Sequence, residues 1–279
     1  MTLVVREVSW LMKKLSFKVT LWGMILWMML NYIQTLIRYW GTDISVLPEA
    51  MEFRLASNHN FSWMPLLMEL FPFIVVLPAA FVFLNDDTEG TAVYLKARLG
   101  QKKYYLMKLL SVFFTTFLAF ASPMLAEVIL FLVAFPGGKI GDITYISPYL
   151  KGNMYENMLF SDVYYSGDLP YAILGALTFC FTAAILACFA AAVSTWGMKL
   201  KILLFLPVYL LLNGLNILSH AFVLPIQTGY QFYLIYYDSL RKSLPGFLCV
   251  QLVIVMLTMA LLFIRINIDD LGGKAHGQA

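Results

Sequence analysis

The chain has 279 residues, of which 61% are hydrophobic and only 13% charged, and its mean hydropathy is +0.78. That balance excludes an ordinary soluble domain and reads as an integral membrane protein. A formal charge of +3, with no surface-like mixture of basic and aromatic residues, gives no nucleic-acid partner.

Residues 3–17, "LVVREVSWLMKKLSF", place Val4, Val8, Leu11 and Leu15 on one helical face and Arg6, Ser9, Lys13 and Ser16 on another. The pattern predicts an amphipathic helix lying in the membrane interface, or else a frayed extension of the first span. Trp10, Lys13 and Lys14 suit a headgroup layer over an anionic inner leaflet, so membrane lipids are expected partners. The first long apolar stretch begins near Thr20 and has spanning length, so it reads as a retained span and no cleaved leader is expected.

Six stretches approach the roughly 20 apolar residues that a bilayer core requires. They are residues 20–37, 64–84, 106–135, 171–194, 202–218 and 244–264. None alternates as a membrane barrel strand would, so the expected class is all-α with six transmembrane helices in one domain. Placing both termini in the cytoplasm leaves thirteen basic residues inside and six outside, the asymmetry of the positive-inside rule in a multi-pass cell-membrane protein.

Within span two, Pro72 and Pro78 predict a kink or a loosened face, as does Pro123 in span three. Glu69 in span two and Glu127 in span three are the acids within apolar runs. Counted along their helices, both lie about 9 to 12 Å from the exterior ends. Either they line an outer vestibule that attracts a cationic or hydrogen-bonding substrate, or each is protonated or tied to a neighbouring helix.

Between spans two and three, residues 86–103 hold the densest charge. Asp86, Asp87 and Glu89 come first, then a possible cap at Thr88 or Thr91, then "AVYLKARL", with Lys96 and Arg98 near its end and Gly100 to stop it. Acids first and bases last complement a helix dipole. Ala92, Leu95 and Leu99 share an apolar face and Tyr94 and Arg98 another edge. A helix this short is marginal alone, so it is expected to dock on the bundle or on a partner; the competing reading is a solvated loop. Lys102, Lys103, Tyr104, Tyr105 and Lys108 then read as an interfacial anchor for span three.

The polar loop at residues 136–170 is expected outside, as a folded cap or a mobile loop. Ala183, Ala187 and Ala191 in span four allow close helix approach, within the bundle or between subunits. Cys180, Cys188 and Cys249 lie in apolar runs and read as small packing residues rather than a disulfide framework. The aromatic, Pro- and Gly-interrupted segment at residues 222–237 is too broken to span and reads as an exterior re-entrant hairpin between spans five and six. His59, His220 and His276 are scattered and give no metal spacing.

Taken together, the amphipathic elbow, six spans, short cytoplasmic helix between spans two and three and exterior re-entrant segment resemble the permease subunits of the ABC type-2 exporter family. So does the local run of Asp86, Asp87, Glu89, Gly90 and Thr91 into Arg98, Lys102, Lys103, Tyr104 and Lys108. One departure is the absence of a Pro-containing turn before the basic residue. The resemblance implies that residues 86–103 form a coupling helix, with Glu89, Gly90, Thr91, Tyr94, Leu95, Arg98 and Lys102 facing a separate ABC ATPase subunit. It further implies a second permease chain, identical or homologous, and ATP with Mg bound by the ATPase rather than by this chain. The sequence agrees in lacking a Walker A motif: Gly138-Lys139 has neither the upstream Gly spacing nor a following Ser or Thr, and Gly273-Lys274 precedes Ala275. The expected cargo is an amphipathic peptide, drug or lipid-like compound. The alternatives are an ion- or proton-coupled transporter using Glu69 and Glu127, a sensory or immunity subunit that binds an antimicrobial peptide, and an intramembrane enzyme, for which no catalytic constellation is visible.

Overall fold

The computed structural model describes residues 2–43, 47, 50, 55, 63–135, 159–166, 168–196, 201–221, 233–234 and 243–276. Every regular element among them is helical: α1 Thr2–Lys13, α2 Leu15–Arg38, α3 Trp63–Ile74, α4 Val82–Thr88, α5 Thr91–Leu99, α6 Gln101–Ala134, α7 Ser161–Ser166 and α8 Asp168–Ser194. A 3-10 turn, Lys201–Leu204, then leads into α9, Phe205–Ala221, and α10, Leu244–His276, follows. Four of these, α2, α6, α8 and α10, are long and apolar enough to cross a membrane. Two shorter apolar helices, α3 and the stretch Ile202–Ile217, accompany them.

The centre is α8. Of its most apolar window 72% is buried, against 28% in α2 and in α10, so α8 is a spine and those two are flanks. Small side chains make this possible. Ala183, Ala184, Ala187, Ala190, Ala191 and Ala192 are all fully buried, letting α6 and α10 pack closely against α8. Their place is thus inside the bundle. Aromatic rings fill the space above them, with Phe71 and Phe120 both packed edge-on or tilted against Phe179. The outward faces remain apolar, for example Trp22, Leu26, Ile33 and Ile37 on α2 and Leu248, Leu252, Met256 and Phe263 on α10. So wide an exposed apolar surface is what a membrane protein offers to lipid.

Several expected boundaries are corrected. The first amphipathic helix ends at Lys13 rather than at residue 17, because Lys14 turns extended (ψ 150°) and starts a new helix. Leu15 consequently leaves the apolar face and is 75% exposed, while Leu11 is buried and Val4 and Val8 are half-buried. The stretch 64–84 is not one helix. Pro78 has no N–H to give Ile74, whose carbonyl instead accepts from Leu77 at 3.2 Å, and residues 75–81 form tight turns between α3 and α4. Pro72 stays inside α3, and Pro123 inside an unbroken α6. The last helix does not stop at residue 264 but continues to His276. The loop at 136–158 and nearly all of the segment at 222–237 lie outside the described residues, as do the side chains of His220 and Lys274.

Candidate functional site

One end of the bundle gathers charges from five helices. The short helix α5 begins after Gly90 (φ +71°) and ends at Gly100 (φ +78°), both in the left-handed half of backbone space that glycine enters without strain. Two such hinges fold the chain sharply on either side of α5. No hydroxyl caps it: Thr88 Oγ1 donates to the Asn85 carbonyl and Thr91 Oγ1 to the Asp86 carbonyl. The acids are likewise not at its amino end. Asp86 and Asp87 belong to the last turn of α4, and Glu89 follows that helix. The dipole order expected from sequence therefore holds for Lys96 and Arg98, in the last turn of α5, but not for the acids.

What replaces the dipole is a buried ion network. Asp86 is buried and accepts the Tyr104 hydroxyl at 2.8 Å and the Lys108 ammonium at 2.9 Å. Lys108, also buried, reaches Glu7 on α1 at 2.6 Å. One lysine thus joins α6 to both α1 and α4. A second knot forms on Asp269 of α10, whose Oδ2 accepts Lys96 at 2.8 Å and the Tyr105 hydroxyl at 2.9 Å, while Oδ1 lies 3.3 Å from Arg265 Nε. That knot joins α5, α6 and α10. Phe83, Tyr104 and Tyr105 pack edge-on or tilted against one another beside the two knots, which keeps the dielectric low and the pairs strong.

Ionisation follows from this packing. Half-burial alone would lower the Lys96 ammonium, but hydrogen bonds to Asp269 and Tyr105 outweigh it and hold it above its ordinary value. Burial raises the Asp87 carboxyl, against the pull of Lys96 and Arg265. Burial lowers Lys14, which lies 3.5 Å from the Trp10 ring centroid, against Glu89 and Asp86.

The residues expected to act are placed as follows. Ala92 is buried and Leu95 and Leu99 half-buried, so the apolar face of α5 docks on its own bundle beside Leu11, Phe83 and Tyr105. Glu89, Gly90, Val93, Tyr94, Arg98 and Lys102 are exposed, with Tyr94 79% open. Thr91 is half-buried. Trp10, Lys13 and Lys103 are at the surface, Lys14 partly so. Tyr104, Tyr105 and Lys108 are interior, so they bind helices together rather than meet headgroups.

Glu69 and Glu127 separate. Glu127, at the other end of the bundle, is buried and its Oε1 accepts the Leu55 backbone N–H at 2.8 Å and Asn31 Nδ2 at 3.2 Å. It therefore pins the segment before α3 to α2 and α6. Glu69 is exposed on α3, on the side where Phe73 packs against Phe205 and Tyr209 of α9. The two carboxylates do not share a site. Among the described residues no group of His, Cys, Asp and Glu could hold a metal ion.

Sequence reasoning missed Glu7, Asn31, Arg265 and Asp269. Glu7 and Lys108 were each visible as a charge at the edge of an apolar face, the signal of a buried partner. Nothing local links Lys96 to Asp269, 173 positions apart. No family model, curated protein or solved structure matches the chain.

Proposed function

We propose that the chain is the membrane-spanning permease subunit of an ATP-driven exporter, working with a separate ATPase and a second permease chain on an amphipathic substrate. The observation that carries this reading is α5: a glycine-bounded rod set between apolar helices, one face docked on the bundle and the other offering Val93, Tyr94 and Arg98. A rod held to α10 by the Lys96–Asp269 ion pair, seated in the bundle through Ala92 and Leu95, and bare on its outer face is suited to receive a push from another protein. The N-terminal α1, folded against α6 beyond the bend at Lys14, acts as the elbow of such a subunit.

Six crossings fit the contacts. Lys108 with Glu7 and Lys96 with Asp269 put the start of α6 and the end of α10 at one end. Glu127 with Asn31 and Leu55 puts the end of α2 at the other. The short pair α3–α4 and α9 then complete the alternation, with both termini on the α5 side, in the cytoplasm. ATP and Mg belong to the partner.

The test is co-purification. The tagged chain, solubilised gently, is expected to bring down an ATPase with Walker motifs, and Tyr94→Ala with Arg98→Ala to reduce its recovery and its substrate-stimulated hydrolysis on the order of tenfold or more. Recovery of the chain with no ATPase, together with substrate uptake driven by a pH gradient, would replace the proposal by the proton-coupled reading.

A further inference from the structure

The end of α10 extends well past its apolar stretch, and the residue it delivers there is Asp269. This carboxylate takes Lys96 of α5 at 2.8 Å, Tyr105 of α6 at 2.9 Å and Arg265 of its own helix at 3.3 Å. It is the shared acceptor of three elements. The apolar contacts of α5 through Ala92 and Leu95 lie in the same cluster as Leu261, Leu262 and Ile266 of α10. The Lys96–Asp269 pair therefore ties α5 to the last helix, while packing holds it mainly to its chain neighbours α4 and α6.

We propose that Asp269 locks α5 and the inner half of α10 into one moving body, so that a displacement of α5 enters the bundle through its last helix. The inference rests on the coupling reading of α5 for its purpose, but the lock itself is a property of this chain alone. Asp269 acts as a positioning residue. The arrangement has directional content. Gly90 and Gly100 free the backbone on both sides of α5 to rotate, so the covalent connections to α4 and α6 are the compliant ones. The ion pair to α10 crosses no hinge. A force on the exposed edge of α5 has a direct path to α10 through Asp269, and α10, whose apolar window is mostly exposed, has freedom to tilt.

The experiment measures the lock directly. With Cys249, the exposed native cysteine, changed to Ser, spin labels on Tyr94→Cys and Asn267→Cys report the α5–α10 distance in the full-length chain in nanodiscs. One narrow distance distribution is expected for the parent and broad or multiple distances for Asp269→Asn and for Lys96→Met. The swapped pair Lys96→Asp with Asp269→Lys is expected to narrow the distribution again. An unchanged distribution in both single variants would overturn the lock, whatever the partner. In the assembled complex the single variants are expected to keep ATPase recovery while losing substrate-stimulated hydrolysis about tenfold, with recovery in the swap. Broadened distances with unchanged stimulation would overturn the transmission role and leave the proposed function standing. Absence of any ATPase would sink that function and leave the distance result to decide the lock.

Discussion

Lys108 shows how much one side chain decides. Buried in a mostly apolar bundle, it is tolerable only because Glu7 and Asp86 face it at 2.6 and 2.9 Å and Tyr104 shares Asp86. Removing one member strands the others, and breaking a buried pair costs about 3 to 5 kcal/mol. Lys108→Met is therefore expected to lower the melting temperature in detergent sharply, and Asp86→Asn to do so less, since an amide still accepts from Tyr104. Glu127 is the counterpart at the far end. Glu127→Gln keeps an acceptor for the Leu55 N–H and is expected to be mild, whereas Glu127→Ala removes the acceptor of that N–H, at about 1 to 3 kcal/mol, and takes one partner from Asn31. Lys96 adds a pH dependence. Its ammonium is held above the ordinary 10.5, so its stabilising contribution is complete below the unfolded value and is lost as pH rises through the higher folded one. Melting temperatures in an alkaline series are expected to fall there, and to fall less in Lys96→Met.

Among the elements, α5 was readable from its glycines and its alternating faces, and it ends at Leu99 before Gly100 as the punctuation put it, but it starts at Thr91 after Gly90 rather than behind a Thr88 or Thr91 cap. Its cap was not readable, because Asp86 turns into the bundle interior to Lys108 and Tyr104 and Asp87 lies exposed in the last turn of α4. Local spacing cannot tell a carboxylate that caps a helix from one that answers a lysine on the next. Ala at Gly90 or Gly100 would meet no atom within 4 Å, so the penalty is purely conformational, about 1 to 2 kcal/mol at the left-handed Gly90 and about 1 to 3 kcal/mol at Gly100, whose positive φ with extended ψ only glycine adopts readily. Either variant is expected to shorten or displace α5, read as faster proteolysis between residues 88 and 102. The break at Pro78 was foreseeable as a loosening, but not its extent: Val75, Val76, Ala79 and Ala80 are buried, and neighbouring helices supply the packing that a turn inside a bilayer requires.

At the scale of the whole molecule, apolar run length and charge marked the membrane class and the long helices. Which helix would be central was legible only in outline: alanines at every fourth position signal close approach, and the contact with α6 and α10 decides that this approach is internal. Filling that spine with Ala187→Leu is expected to cost about 1 to 3 kcal/mol and reduce the folded yield. Orientation has its own check. A cysteine at Val93, 71% exposed, is expected to react with an impermeant thiol reagent only after cells are opened, and labelling in intact cells would turn the bundle over and remove the coupling role from α5. The uneven lengths of the crossings carry one more consequence. At 1.5 Å per residue α3, before the turns that lead on to α4, covers about 18 Å and the apolar stretch Ile202–Ile217 about 24 Å, so neither uninterrupted apolar piece alone matches a hydrocarbon layer about 30 Å thick. In a bilayer, lipid meeting that flank is expected to be drawn thin, and water to descend further there than elsewhere around the perimeter. Glu69 sits on that flank, so the cost of keeping a carboxylate beside acyl chains falls where the sheath of lipid is shallowest.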